Sequence, residues 1–242
     1  MTSDGFVDIH SHVVPSGDDG VASVDEGLEL CRDAAEHGTR VLFATPHVWP
    51  QLLLTDQREE EIRARFAELA ARAPLELELG FELTPMPSLL DEDPNRYELG
   101  ATGAVLIEVP FHGGTALLFE VAEHVETSGR RPVIAHPERT EAVLENEALA
   151  AELAERGWLL QVNSTSLLGR HGAEIEELAW RLLDDGLVAI VASDAHRPAR
   201  PAQLDEAYGR VRARLGERAR RLFDGSALTA RRTPSRVAER GA

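Results

Sequence analysis

Seven short apolar runs recur along the chain, near residues 6–9, 41–44, 75–79, 104–109, 132–135, 159–162 and 187–192, and predict seven β-strands. Between most of them, apolar residues three and four apart carry the period of an amphipathic helix. The stretch Val24–Glu36 ends just before Gly38, a helix stop. Residues 56–72 start behind Thr55, a suitable N-cap, and set Ile62, Phe66 and Leu69 on one face. Residues 116–127, 141–156, 175–185 and 203–223 also read as helical. Residues 84–99, with Pro85, Pro87 and Pro94, read instead as a loop over one end of the sheet. Regular strand–helix alternation implies a parallel sheet with right-handed crossovers, and seven units suggest a closed but irregular α/β barrel. No linker, repeat or low-complexity stretch divides the chain. One domain is therefore expected over residues 1–225, followed by a loosely held tail over residues 226–242.

Side chains able to bind metal keep to one phase of this pattern. The first run leads into DIHSH, which carries His10 and His12, and the last leads into SDAH, with Asp194 and His196. Residues two apart at a strand end point the same way, so each pair can present two ligands to one rim. The intervening runs end at His47, Glu82, Glu108 and His136, and Asp18-Asp19-Gly20 closes the loop after the first pair. A barrel of alternating strands and helices gathers its active-site groups at that end of its strands. Imidazole and carboxylate without thiolate suit zinc, iron or manganese held for chemistry.

Composition narrows the partners. A net charge of −17 over 242 residues argues against nucleic acid, whose phosphates that field repels. The basic residues are all arginine, which makes arginine the only fixed side-chain cation available to a phosphate. The single cysteine, Cys31, cannot form an internal disulfide and fits a reducing cytoplasm. Neither a leader nor a membrane-spanning run is expected.

Together DIHSH, the following DDG, ATPH, the glutamate after Gly80-Phe81, LIE, AHPER and ASDAH resemble the PHP (polymerase and histidinol phosphatase) superfamily, from about residue 6 to about residue 210. They look most like its branch of bacterial protein-tyrosine phosphatases from capsule and exopolysaccharide operons. The resemblance implies a distorted seven-stranded, TIM-like barrel with two or three divalent ions, manganese first and iron or zinc as alternatives. It also implies a substrate, the phosphotyrosine tail of a bacterial tyrosine kinase that controls polysaccharide export. Carried over position by position, the metal ligands are His10, His12, Asp19, His47, Glu82, Glu108, His136, Asp194 and His196, with Asp18 a rival for Asp19.

Cys31, inside a helix and without a phosphate-binding loop around it, is a poor nucleophile. Metal-bound hydroxide, attacking phosphorus in line, is the available one, since a divalent ion can lower the pKa of its water to about 7. Three such ions (about +6) against four carboxylates (about −4) leave a dianionic phosphoryl group only partly neutralised. An arginine would supply the remaining cation and a bidentate fork. Arg139 in AHPER is the first candidate, Arg197 and Arg200 the next, against an ordinary ion pair of Arg139 with Glu138 or Glu141. Trp49 could stack on a phenyl ring or seal the barrel top. His112 is a candidate proton donor, with a solvent-exposed role as its alternative. His37, His124 and His171 have no matching partners and read as surface. Competing activities are a PHP phosphatase of a small phosphomonoester such as histidinol phosphate, and a non-catalytic, metal-containing binding partner. The chain is compatible with an oligomer.

Overall fold

Every apolar run becomes a strand in the computed structural model, which describes residues 5–229. The strands are β1 (Phe6–Asp8), β2 (Thr39–Ala44), β3 (His47–Val48), β4 (Glu76–Leu79), β5 (Glu82–Leu83), β6 (Ala104–Glu108), β7 (Arg131–Ala135), β8 (Leu159–Asn163) and β9 (Val188–Ala192). All the ladders are parallel, in a three-stranded sheet ordered β1-β2-β4 and a six-stranded sheet ordered β3-β5-β6-β7-β8-β9. Nine strands stand where seven were expected because Thr45-Pro46 and Gly80-Phe81 interrupt two of them. Pro46 has no N–H to give to a ladder, and a side chain at Gly80 would meet Leu99 at 2.6 Å. Hydrogen bonds still cross both breaks, from Gly80 N–H to the Ala44 carbonyl (2.9 Å) and from Glu82 N–H to the Pro46 carbonyl (3.2 Å).

The strand pairing does not close into the expected barrel. Among the described residues β1 and β9 do not pair as strands. Just beyond their ends, Asp194 N–H donates to the His10 carbonyl (2.9 Å) and His12 N–H to the Ala195 carbonyl (2.7 Å). Ser11 and Ala195 form an isolated parallel bridge there.

Helices fill the crossovers: α1 (Val24–Glu36), α2 (Asp56–Ala70), α3 (Ala116–Thr127), α4 (Glu141–Glu145), α5 (Ala148–Glu155), α6 (Ser164–Leu167), α7 (Ala173–Asp184), α8 (Asp205–Leu215) and α9 (Ser226–Thr229). Thr55 caps α2 as expected, accepting the Arg58 N–H at 3.2 Å. The helix expected over residues 141–156 is two, parted at Asn146, whose φ of −143° and ψ of 87° leave the helical region. The α-helix expected to reach residue 223 stops at Leu215, because Gly216 takes φ 62° and the chain continues as a 3₁₀ turn. Two short 3₁₀ turns, Pro87–Asp91 and Pro94–Tyr97, occupy the proline-rich loop.

The two-residue strand period sorts the core. Leu42, Ala44, Val105, Ile107 and Val191 join the large cluster that also buries the helix faces. Val41, Phe43, Ala104, Leu106, Ile190 and Ala192 form a smaller cluster on the other face, with Leu228 of α9 packed against them. The segment expected to hang loosely thus begins with a docked turn, and residues 230–242 lie outside the described residues. No helix among the described residues is long and apolar enough to cross a membrane.

Candidate metal centre

All nine candidate ligands meet at the carboxyl ends of the strands, and all but Asp19 are buried there. Their ligand atoms fall into overlapping groups within 4.8 Å of one another: His12, His47 and His196; His10, Glu82 and His136; His10, His12 and Asp194; His47, Glu82 and Glu108. Glu82 sits at the middle of the set. One of its oxygens lies 3.0 Å from His10, 3.2 Å from His12 and 3.2 Å from His47, and the other 2.9 Å from His136. The His10 and His12 Nε2 atoms face each other at 3.3 Å.

The rest of the chain aims these rings. His10 Nδ1 meets Gln161 Oε1 (3.0 Å), Gln161 donates to Asn163 Oδ1 (2.8 Å), and Asn163 Nδ2 donates to Asp194 Oδ2 (2.7 Å). Leu159, Gln161 and Asn163 are alternate residues of β8, so one strand face presents both amides. With Nδ1–H given to Gln161, His10 would turn Nε2 to the cluster as the lone-pair nitrogen when a cation is bound there. His12 Nδ1 is held by Asp18 (3.3 Å) and His196 Nδ1 by the Asp194 carbonyl (2.9 Å). Asp8 ties β1 to β9 by accepting the Ser193 N–H at 3.0 Å. Thr84 donates to Glu108.

The two aspartates of the DDG loop separate cleanly. Asp18 is occupied by the His12 ring, the His47 N–H (3.0 Å) and the Gly20 N–H (3.1 Å), so its carboxylate orients other groups. Asp19 turns to the outer side of the cluster, 3.5 Å from His47 Nε2 and 3.3 Å from His196 Nε2. Two other members, His136 (φ 34°) and Asp194 (φ 55°), hold left-handed backbone. For a non-glycine residue this costs about 1–3 kcal/mol, strain that gathers at functional sites.

Electrostatics and unpaired atoms both fit a cation. Burial pushes the Glu82 carboxyl up, but the charges of His10 and His47 outweigh it and hold it well below the usual range. Burial also pushes His12 down, but hydrogen bonds to Asp18, Asp194 and Glu82 hold it well above the usual imidazole value. Glu108 is pushed up to about 7 by burial and then by the charge of Glu82. These opposed shifts mark a cluster rich in carboxylate and short of fixed positive charge. Buried His136 Nδ1 has no hydrogen-bond partner, and Glu82 Oε2 is crowded by three imidazole nitrogens at 3.0–3.2 Å. Coordination of a divalent ion satisfies such atoms, and the imidazole–carboxylate donor set suits it.

Above the cluster opens a cavity of about 210 Å³, lined among others by Trp49, Phe111, Arg139 and Arg200. Arg139 Nη1 donates to Asp194 Oδ2 at 2.9 Å, not to Glu138 or Glu141, and Arg200 donates to the same oxygen. Glu138 is buried beneath, accepting the Asn163 N–H (2.9 Å) and the Ser166 hydroxyl (2.7 Å). Arg197 is absent from the cavity lining and reaches the Asp19 carbonyl instead (3.1 Å). Trp49 stacks on His47, ring centroids 4.5 Å apart. His112 does not join the site: its side chain is 88% exposed and lies 3.4 Å from Glu141. His171 is not a plain surface residue. It contacts Thr165 Oγ1 at 2.8 Å and is pushed down to about 4 by burial and the charges of Arg139 and Arg200. Cys31 is fully buried in α1, and burial pushes its thiol up to about 12.

Gln161, Asn163, Asp8, Thr84 and Phe111 escaped sequence reasoning. Asp8 opens DIHSH and was visible in the motif, whereas an amide or a phenylalanine near a strand end carries no chemical signature of its own.

Residues 6–227 match the model of the family described as capsular polysaccharide synthesis, CpsB/CapC, and the chain belongs to that family. It is 31% identical over 196 residues to the tyrosine-protein phosphatase YwqE of Bacillus subtilis, covering 79% of this chain and 77% of that one. It is 29% identical over 232 residues to the tyrosine-protein phosphatase CpsB of Streptococcus pneumoniae, covering 90% and 95%. Among solved structures it matches a chain from the work on YwqE and CpsB as unique metal-dependent tyrosine phosphatases. That match has a TM-score of 0.80 and 27% identity, and covers 95% of this chain and 98% of the other.

Proposed function

We propose that the protein is a metal-dependent protein-tyrosine phosphatase acting in capsule or exopolysaccharide synthesis, and that its substrate is the phosphotyrosine tail of a bacterial tyrosine kinase. The observation that carries this reading is the meeting of imidazoles and carboxylates from strand ends throughout the chain in one buried cluster beneath two arginines. His10, His12, Asp19, His47, Glu82, Glu108, His136, Asp194 and His196 would hold two or three divalent ions, manganese first. Bound there, such ions supply Lewis-acid charge and bring the pKa of a coordinated water toward about 7. Gln161 and Asp18 keep the His10 and His12 rings in the tautomer that ligation requires. Arg139 and Arg200 grip phosphoryl oxygens at the mouth, and Trp49 meets the phenyl ring. Cys31 has no part in the reaction.

A small-phosphomonoester phosphatase is not favoured, because the curated relatives are tyrosine-protein phosphatases. We read residues 1–225 as one domain, since strands from both ends supply the same cluster. The seven strand positions are read as a distorted barrel whose β1 and β9 rims are joined by the Ser11–Ala195 bridge.

The test is metal analysis of the purified protein together with hydrolysis of a phosphotyrosine peptide in added manganese. Two or three ions per chain and a rate abolished by chelation, with the circular dichroism unchanged, are expected. Less than one ion after reconstitution, or hydrolysis indifferent to chelator, overturns the proposal.

A further inference from the structure

Among the described residues only two large hydrophobic side chains are substantially exposed, Leu53 and Phe111. Phe111 is 39% exposed and stands in the wall of the cavity above the candidate metal centre. It lies three residues after Glu108, where β6 ends, and its loop is pinned by the Glu141 N–H, which donates to the Phe111 carbonyl at 3.2 Å. That anchor sends residue 111 inward and residue 112 out to solvent. The Phe111 ring stacks on His136 (centroids 5.5 Å apart, planes 9° from parallel), and the Arg139 guanidinium lies 5.1 Å from its centroid. Trp49 stands in the same cavity and is stacked on His47. The cavity therefore holds two aromatic rings, each lying nearly parallel to a ligand-type histidine, together with the two arginines and the candidate ligands. A phosphate group needs only the arginines and the metals. Exposed aromatic surface beside it is useful to a phosphate ester whose own alcohol carries a ring.

We infer that Phe111 is a specificity-determining residue, which with Trp49 forms an aromatic collar selecting aryl over alkyl phosphomonoesters. This rests on the phosphatase reading above and adds to it the source of the preference for tyrosine. The aromatic contact acts on the leaving group before and during transfer alike, so it is expressed in KM more than in kcat.

The manganese-loaded full chain is compared with Phe111→Ala, Phe111→Leu and Phe111→Tyr on a phosphotyrosine peptide and on a phosphoserine peptide of the same flanking sequence. The expected result for Phe111→Ala is a fall of about ten-fold in the ratio of kcat/KM for the two peptides, the scale of one aromatic pair plus the apolar area it covers. The loss sits in KM. Phe111→Leu keeps apolar bulk and restores little of the ratio, whereas Phe111→Tyr restores most of it. An equal loss on both peptides overturns the inference and makes Phe111 a support for His136 and Arg139. An unchanged ratio overturns it as well. Wild-type protein inert on both peptides with its metal bound would sink the phosphatase reading itself, a result distinct from either.

Discussion

Replacing Arg139 by alanine removes a guanidinium that faces the mouth of the cavity and is held from two sides. Asp194 Oδ2 accepts one of its N–H groups at 2.9 Å, and the Phe111 ring lies 5.1 Å from its carbon. Its side chain is only 16% exposed, so its charge acts in a partly dry site. A unit charge about 4 Å from a phosphoryl oxygen is worth about 4 kcal/mol at an effective dielectric near 20. Loss of one preorganised donor typically costs about 100- to 1,000-fold in turnover. Arg200 reaches the same Asp194 oxygen and can take up part of the load, which places the expected fall near the lower figure. Arg139→Lys should recover little, because an ammonium cannot offer the planar fork. Asp194 keeps Arg200 and the Asn163 amide at 2.7 Å, so it is not left as an unpaired buried charge and the fold should persist. The assay is steady-state hydrolysis of a phosphotyrosine peptide, with metal content and thermal melting measured on the same preparation. Near-native turnover with metal intact would refute the clamp. Joint loss of metal and fold would make Arg139 a structural partner of Asp194 and move the clamp to Arg200.

Asp18→Asn should weaken metal affinity by about 10- to 100-fold, the usual effect of removing a residue that orients a ligand, because its carboxylate holds both the His12 ring and the His47 N–H; titration of the metal-free protein with manganese measures it, and unchanged affinity contradicts the role. Cys31→Ser should leave turnover within about two-fold, and alkylating reagents should fail to inactivate the folded enzyme, since the thiol is fully buried and pushed up to about 12. A dead Cys31→Ser protein with full metal content would overturn the metal mechanism. Gly27→Ala should destabilise by about 2 kcal/mol through overpacking, lowering Tm by about 4–8 °C for a chain of this size. A Cβ there would meet the Val13 carbonyl oxygen at 2.2 Å, where α1 crosses the backbone just after His12. A melt equal to wild type shows that this contact can relax.

Local information marked the strand positions and the candidate ligand residues. Strand ends are legible because burial on both faces makes most of these parallel strands near-continuous apolar runs (β4, which alternates Glu and Leu, is the exception), and His10, His12, His47, Glu82, Glu108, His136, Asp194 and His196 stand out where those runs stop. Helix bounds failed where one residue's dihedrals broke the period, at Asn146 and Gly216. The division of labour around the cluster was decided only by the tertiary structure. Asp18 and Asp19 are adjacent and chemically alike, and they separate only because the loop places one against His12 and the other against His196. Gln161 stands 151 residues from the ring it orients, so its role exists only in the register of β8. Arg200 rather than Arg197 lines the cavity, and Phe111 rather than His112, because a turn and one anchored carbonyl set which neighbour points inward. Side-chain periodicity is a property of the chain and can be read along it. Convergence at a point depends on how strands far apart in sequence are twisted and staggered, and no local pattern encodes that.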